Sequence, residues 1–482
     1  MLSPKEMQSL ERRAFAAGAN AEDLMEEAGR SMAGAVRQFC PSAGTCIAFF
    51  GKGHNGGDAL VTARLLSEEG WRVVLIASHE ASEWAPLTAR KHSQAGRCET
   101  KKLSDFEGWL PEAGARCVVL DGLLGIGARG PLTAPISTAC QQINRLRQHS
   151  DAQVFALDIP TGLDGETGIA DPNAVVADVT LTVGFAKTGL LTDGAELYVG
   201  RLAVLPLAAL SKAAGETNPL ECATPTTLAP LWKRRSATTH KGDCGRVILV
   251  AGAVGTLGAA VLAAKGALRA GAGLVTLCVS EAVYPLIAPM APAECMVRPV
   301  ASLSEALELR GDALGIGPGL GLRNANSILK IIREFEGPAV LDADALNILA
   351  DGRLSILGSC AGPRLLTPHP GEMARLDPTS TALGRQAQAK QFADRWPVTL
   401  LLKGARTVVA TKGRDASFNT TGNPGMASGG MGDVLTGVCT ALLAQGLDCH
   451  EAAIMGAWLC GRAAEALVCS RQRSQESLLA GD

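Results

Sequence analysis

The sequence predicts an α/β protein of two domains, each an open parallel sheet covered by helices, and three observations carry that expectation. Short apolar runs that end in turn residues alternate with stretches of helical periodicity along the whole chain. The 482 residues exceed what one ordinary core holds. The composition is 47% hydrophobic, 19% charged and 4% aromatic with 55 glycines, which suits Ala, Val and Leu elements joined by tight turns. Between about 207 and 239 the periodicity fades and Thr, Pro, Ala and Lys accumulate, as in Glu216-Thr-Asn-Pro219 and Ala223-Thr-Pro-Thr-Thr227. The expected organisation is therefore a domain at 1–215, a linker at 216–232 and a domain at 233–482.

In the first half a helix is expected over 5–17. Asn20, with Asp23 in the following turn, should cap a second helix running through Phe39, with Leu24, Ala28, Met32 and Ala35 on one face. Strands are expected at 45–50, 72–77, 117–121, 154–158 and 179–185, because buried parallel strands read as short apolar runs. The second half repeats the grammar without repeating the sequence. Its strands are expected at 246–251, 274–279, 313–316, 339–342, 364–366, 398–402 and 407–410, and its helices at 259–270, 302–309, 326–335, 434–444 and 451–468. In such folds ligands collect at the carboxyl ends of the strands.

A net charge of −2 provides no electrostatic footprint for nucleic acid or an anionic membrane, so small-molecule partners are expected. The 14 cysteines are scattered singly, without Cys-x-x-Cys or zinc spacing, and read as reduced thiols of a cytoplasmic protein. The charged N-terminus lacks the apolar core of a signal peptide. The long uncharged run at 247–264 is broken by Gly252, Gly255 and Gly258, so it reads as strand, turn and helix rather than a membrane span. A homo-oligomer is expected, the apolar helix at 451–468 having surface to bury within or between subunits.

The first half places polar residues at several strand ends. The strand at 45–50 runs into Gly51-Lys-Gly-His-Asn-Gly-Gly-Asp58, with a helix expected from 59 to about 69. Gly51, Gly53 and Gly56 satisfy the dinucleotide spacing, but Ile76-Ala-Ser-His-Glu80 lacks a clear ribose-binding acid. Asn55 and Asp58 suit a phosphate, a sugar hydroxyl or a cation. Two more strands end in Asp121 and Asp158. Asp121, the Asn55 amide and the Thr161 hydroxyl form a hard oxygen set for a monovalent or divalent cation, which leaves Asp158 for proton transfer.

Taken in order after Leu24-Met-Glu-Glu-Ala-Gly29, the motifs Gly53-His-Asn-Gly-Gly-Asp58, Gly125-Ile-Gly and Asp158-Ile-Pro-Thr-Gly162 resemble the NAD(P)HX epimerase domain. The resemblance covers about 1–215 and implies a Rossmann-like three-layer parallel sheet. It implies that His54, Asn55, Gly56, Gly57 and Asp58, with Gly125, Ile126, Gly127, Ala128, Arg129, Gly130 and Pro131, line the hydrated nucleotide. Asp158 would bind the nucleotide as a catalytic residue, and Asn55, Asp121 and Thr161 would hold a potassium ion. The family usually shows Asn-Asn-Gly-Gly-Asp-Gly and Asp-Ile-Pro-Ser-Gly, where this chain has His54, Ala59 and Thr161. Thr161 keeps the hydroxyl, whereas His54 changes the first contact.

In the second half, Asn423-Pro-Gly-Met-Ala-Ser-Gly-Gly-Met-Gly-Asp433 is a glycine-rich loop that delivers one carboxylate to the start of an apolar helix. Backbone N–H groups at a helix start bind phosphate, and Asp433 either removes a proton or merely caps the helix. Lys403 either neutralises phosphate or is a solvated hairpin lysine, and His369 either meets a ligand or satisfies loop backbone. A phosphate loop plus a carboxylate that deprotonates a hydroxyl is the machinery of in-line phosphoryl transfer, here without the P-loop motif.

Lys241-Gly-Asp-Cys-Gly245, Gly317-Pro-Gly-Leu-Gly321, Asp342-Ala-Asp-Ala-Leu-Asn347, Thr367-Pro-His-Pro-Gly-Glu372, Lys403-Gly-Ala-Arg-Thr407 and Gly429-Gly-Met-Gly-Asp-Val-Leu-Thr-Gly437 occur in that order. Together they resemble the ribokinase-like α/β/α superfamily and, within it, the ADP/ATP-dependent NAD(P)HX dehydratases, over about 230–470. The resemblance implies that Ala259, Gly319 or Gly321, His369 and Asp433 surround the hydrated nicotinamide nucleotide. Lys403, Gly404, Ala405, Arg406, Thr407 and Gly432 would surround ADP or ATP, with Mg2+ accompanying the nucleotide.

The two halves in this order resemble the bifunctional NAD(P)H-hydrate repair family. That implies epimerisation of R- and S-NADHX and NADPHX, then nucleotide-dependent dehydration of the S form. Asp433 would take the ring-hydroxyl proton as a phosphoryl group arrives, and phosphate would then leave. The rival reading is a ribokinase-like kinase for a vitamin precursor fused to a nucleotide-binding module. Thr367-Pro-His-Pro-Gly-Glu372 and the joint presence of Asn55, Asp121 and Asp158 weigh against it.

Overall fold

The computed structural model describes residues 1–106, 111, 116–128, 130–150, 152–215 and 221–482. The chain divides into two compact units, Met1–Thr217 and Asn218–Asp482. Of the stretch expected as linker, 216–220 lies outside the described residues. The following residues are built into the second unit: the Ala223 N–H donates to the Phe418 carbonyl at 3.0 Å, and Ala223 and Leu228 are buried in its core.

The first unit holds β1 (Thr45–Phe50), β2 (Arg72–Ala77), β3 (Glu99–Lys102), β4 (Cys117–Gly122), β5 (Gln153–Leu157), β6 (Val179–Val183) and β7 (Arg201–Leu205) in the order β3-β2-β1-β4-β5-β6-β7. Every adjacent pair is parallel. The register sets Asp121 opposite Ala156, so Asp158 follows two residues further along the same edge. The helix Pro4–Ala16 is capped by Ser3 with Glu6 in a reciprocal box, and Ala21–Phe39 is capped by Asn20. The next helix is His54–Glu68, five residues longer at its start than expected. The glycines that suggested a loop are instead needed for close contact. A Cβ on Gly56 would lie 2.0 Å from the Gly51 carbonyl oxygen, and one on Gly57 would lie 2.4 Å from the Met25 side chain.

The second unit holds β8 (Arg246–Val250), β9 (Leu274–Ser280), β10 (Cys295–Val300), β11 (Ala313–Ile316), β12 (Ala339–Leu341), β13 (Arg364–Leu366), β14 (Thr399–Leu402), β15 (Thr407–Thr411) and β16 (Ser417–Asn419) in the order β10-β9-β8-β11-β12-β13-β14-β15-β16. The strands from β10 to β14 pair in parallel, whereas β14, β15 and β16 pair antiparallel. The expectation of a wholly parallel sheet is corrected here. The residues between β14 and β15 are too few for a crossover, so the chain turns straight back as a hairpin.

Two helices that carry site residues, Leu257–Arg269 and Met431–Ala444, cross at glycines. A Cβ on Gly266 would lie 2.5 Å from the Val434 carbonyl oxygen, and one on Gly437 would lie 2.0 Å from that of Ala263. Glycine inside a helix costs roughly 1 kcal/mol relative to alanine, here offset by backbone-to-backbone packing. The 302–309 segment forms a 3-10 turn, Leu303–Glu308, rather than an α-helix. The helix Cys449–Cys469 is long and apolar enough to cross a membrane by length and composition alone, and it buries Ala452, Ala453, Ile454 and Met455 within its own unit. Replacing Gly437 by valine should destabilise the second unit by about 1–3 kcal/mol or more through overpacking. Thermal unfolding checks this, and the transition of the first unit should stay in place.

Candidate active sites

In the first unit the ends of β1, β4 and β5 meet around Asp121, which is fully buried. Its Oδ1 accepts from the Thr161 hydroxyl at 2.7 Å and its Oδ2 from the Thr161 N–H at 2.8 Å. The Thr161 hydroxyl in turn accepts from the Leu124 N–H at 3.1 Å, and the Leu124 carbonyl accepts from Asn55 Nδ2 at 2.8 Å. Burial pushes the Asp121 carboxyl up to about 6, against the lowering effect of these hydrogen bonds. Asn55 Oδ1 is buried and has no hydrogen-bond partner among the described residues. A bare carbonyl oxygen beside a desolvated carboxylate and a hydroxyl is a donor set that fits a hard cation such as potassium.

Alongside, a cavity of about 600 Å³ opens between two loops, lined by Gly125, Ala128, Gly130, Pro131, Thr161 and Gly162 among others. Ile126 and Gly127 lie on the same loop, and Arg129 lies outside the described residues. His54 is exposed as the first residue of its helix, whose opening N–H groups have no intrahelical acceptor. Ala59, where the family has glycine, is buried against Gly122, where a Cβ would lie 2.4 Å from the Ala59 methyl.

Asp158 follows β5 with φ of +69°, a left-handed conformation uncommon outside glycine, and is nearly buried. Its Oδ1 accepts from Lys187 Nζ, from the Thr182 hydroxyl at 3.3 Å and from the Val183 N–H at 3.3 Å. Burial raises the Asp58 carboxyl well above its usual range, reinforced by the charges of Asp158 and Glu11 and opposed by Lys187. Glu11 is raised by burial and by Asp158. The structure thus gathers Glu11, Asp58, Asp158 and Lys187 into one electrostatic group.

The second unit centres on Asp342, which is 1% exposed at the end of β12. Its Oδ1 accepts from Lys403 Nζ at 2.8 Å and its Oδ2 from the Thr436 hydroxyl at 2.7 Å. Lys403 Nζ also lies 4.0 Å from Glu372, so it is no solvated hairpin lysine. The helix Met431–Ala444 starts at Gly430, whose φ of +92° suits glycine, and has no side-chain cap. Asp433 is therefore not a cap. Burial first, then the charges of Asp342 and Asp344, push its carboxyl up to about 6 despite Lys403. A Cβ on Gly432 would lie 3.2 Å from Lys403 Nζ, so the glycine lets the lysine reach the helix start.

Gly321 donates its N–H to Asp344 at 2.8 Å, and the Gly319 carbonyl accepts from the Thr256 hydroxyl at 2.7 Å, next to Ala259. His369 caps the helix Pro370–Leu376, its Nδ1 accepting from the N–H groups of Gly371 and Glu372 at 3.0 and 3.3 Å. Its ring is half-exposed, with Nε2 3.6 Å from the Glu372 carboxylate. In the hairpin, Gly404 and Ala405 are exposed, the Thr407 hydroxyl closes onto the Gly404 carbonyl, and Arg406 is 4% exposed. Of the residues implied for ADP or ATP, Arg406 thus turns its side chain inward and leaves the hairpin backbone to face solvent.

Sequence reasoning assigned no role to Lys187, Glu11, Thr256 or Thr436. Lys187 was findable: it follows β6 as Asp158 follows β5, and these strands are neighbours. Asp433→Asn should stabilise the second unit above about pH 6. A carboxyl raised in the fold costs stability as pH climbs from its unfolded value toward about 6, and the amide removes that cost, on the order of 1–3 kcal/mol. Melting curves across pH 4–8 check the sign.

A glycine loop, a lysine and an aspartate at the carboxyl edge of one sheet give the second unit a layout suited to phosphoryl transfer, and the first unit, a Rossmann-like parallel sheet, carries its own buried acids. The family model for NAD(P)H-hydrate dehydratase matches residues 247–481, and that for the YjeF-related protein N-terminus matches 21–189. The bifunctional NAD(P)H-hydrate repair enzyme Nnr of Escherichia coli is 39% identical over 453 residues, covering 92% of this chain and 85% of that protein. That of Moorella thermoacetica is 36% identical over 461 residues, covering 90% and 85%. The crystal structure of ADP/ATP-dependent NAD(P)H-hydrate dehydratase from Bacillus subtilis, co-crystallized with ATP/Mg2+, is 32% identical with a TM-score of 0.46 and covers 53% of this chain and 92% of that one. The chain belongs to the family of bifunctional NAD(P)H-hydrate repair enzymes.

Proposed function

We propose that the chain returns hydrated nicotinamide nucleotides, NADHX and NADPHX, to their reduced forms. The first unit interconverts the R and S hydrates, and the second dehydrates the S hydrate at the expense of ADP or ATP. The observation that carries the second step is Asp433, a half-buried carboxyl poised near 6 beside Lys403 at an uncapped helix start. A base of that strength accepts a hydroxyl proton near neutrality.

Asp433 takes the proton from the ring hydroxyl while the hydroxyl oxygen attacks the terminal phosphoryl group. Lys403 and the N–H groups after Gly430 stabilise the charge that develops on phosphate. Hydroxide, a poor leaving group, has become phosphate, whose departure with a ring proton restores the double bond. Mg2+ would accompany the nucleotide and neutralise its phosphates. Ala259, Gly319, Gly321 and His369 border the hydrate, and the Gly404–Ala405 backbone and Gly432 border the nucleotide.

In the first unit Asn55, Asp121 and Thr161 would hold potassium, which supplies the positive charge that the buried Asp121 lacks. The cavity beside Gly125 to Pro131 takes the hydrated nucleotide, and Asp158 acts on it. The free cysteines support a cytoplasmic setting. Exposed Tyr284, Leu286, Met290 and Met296 on the second unit support a homo-oligomer.

Incubation of an R/S mixture of NADHX with ADP or ATP should restore the reduced-nicotinamide absorbance completely. Failure of recovery with either nucleotide rejects the dehydratase, and recovery that stalls after the S fraction, with spontaneous epimerisation controlled, rejects the epimerase. Asp433→Asn should slow dehydration by at least about 10²-fold. Potassium should raise the melting temperature of the first unit more than an equal concentration of a bulky organic cation, and Asn55→Ala should abolish that difference.

A further inference from the structure

Lys187 is fully buried, a costly place for an ammonium group unless it is paired. All three of its N–H donors are spent: one on Asp158 Oδ1, one on the Thr182 hydroxyl at 3.0 Å and one on the Val183 carbonyl at 2.9 Å. None is left for a substrate. On the other side of the pair, every donor to Asp158 falls on Oδ1, and no described residue donates to Oδ2. The carboxylate is therefore held by one oxygen with the other unengaged.

The lysine is fixed from its backbone as well. The Leu2 N–H donates to the Ala186 carbonyl at 3.0 Å and the Thr188 N–H to the Leu2 carbonyl at 3.1 Å, so the N-terminal segment pairs across Lys187. The helix that follows, Pro4–Ala16, sets Met7 against the loop after β6, since a Cβ on Gly184 would lie 3.0 Å from the Met7 methyl. Glu11 is one turn beyond Met7 on that helix face. Three acids, Glu11, Asp58 and Asp158, thus share one cation, and only Asp158 is hydrogen-bonded to it.

We propose that Lys187 is a positioning residue of the epimerase site: it clamps Asp158 by one oxygen, so that the other oxygen serves as the base toward the substrate. Burial first, and then the charge of Asp158, makes Asp58 and Glu11 hold protons more readily. This inference rests on the epimerase reading above.

The test uses the full chain and follows conversion of purified R-NADHX by chromatography from pH 6 to 9. Dehydration of S-NADHX by the same preparation serves as internal control. The wild-type rate should rise with pH along an acidic limb and level off. Lys187→Met should lower kcat at neutral pH at least about tenfold and move the acidic limb upward by about one pH unit or more, with partial recovery at the alkaline end. Lys187→Arg, which keeps the charge, should hold the limb near its wild-type position. A uniform loss with an unmoved limb, or no loss, overturns the inference while leaving the epimerase reading intact. Absence of wild-type epimerisation above the spontaneous rate overturns both. Should Lys187→Met fail to fold, Thr182→Val decides: removing the hydroxyl between the pair should raise the limb by a smaller step, and an unchanged limb overturns the inference.

Discussion

Each unit is organised around one aspartate at the end of a parallel strand and one lysine that compensates it. In the first unit Asp158 follows β5 and meets Lys187 from the end of β6, and in the second Asp342 follows β12 and meets Lys403 from the end of β14. Parallel sheets send all their carboxyl ends to one edge, so acids from several strands crowd together there. One lysine cannot neutralise them all. Burial first, and then that surplus charge, raises the proton affinity of neighbours, Asp58 and Glu11 in one unit and Asp433 in the other. A buried ion pair of this kind contributes little net stability, and its value here lies in fixing where the carboxylate points.

Central strands were legible because burial on both faces leaves an uninterrupted apolar run, as in β11 and β12. The edge strand β7, Arg-Leu-Ala-Val-Leu, carries that signal and was not among the expected strands, whereas the other edge strands carried none. β3 is Glu-Thr-Lys-Lys, charged in the manner that keeps an edge from pairing further, and β10 and β16 are mixed or short. The early start of the His54 helix was hidden because Gly56 and Gly57 read as turn residues until the close contacts that require them are visible. Pro370–Leu376 was hidden likewise, its Pro and Gly being helix-opening residues in a motif that looked like a loop.

The acids of both sites stood out as strand-end aspartates, whereas their partners did not, because the partners come from distant segments. Asp342 and Thr436 are 94 residues apart, and Asp158 and Lys187 are 29 apart. The three departures from the epimerase pattern have local physical accounts. Thr161 keeps a hydroxyl 2.7 Å from Asp121, Ala59 packs where Gly122 has no side chain, and His54 stands exposed at a helix start. Of these only His54 changes the chemistry offered to a ligand.

The proposed role of Asp433, the base that begins phosphoryl transfer, is measured most directly by the pH dependence of single-turnover dehydration of pure S-NADHX. With saturating nucleotide the rate should fall tenfold per pH unit below a midpoint near 6, the position set by burial, Asp342 and Asp344 against Lys403. A rate that stays flat down to pH 4.5 with the protein folded would contradict it, because the proton acceptor would then not be this carboxyl.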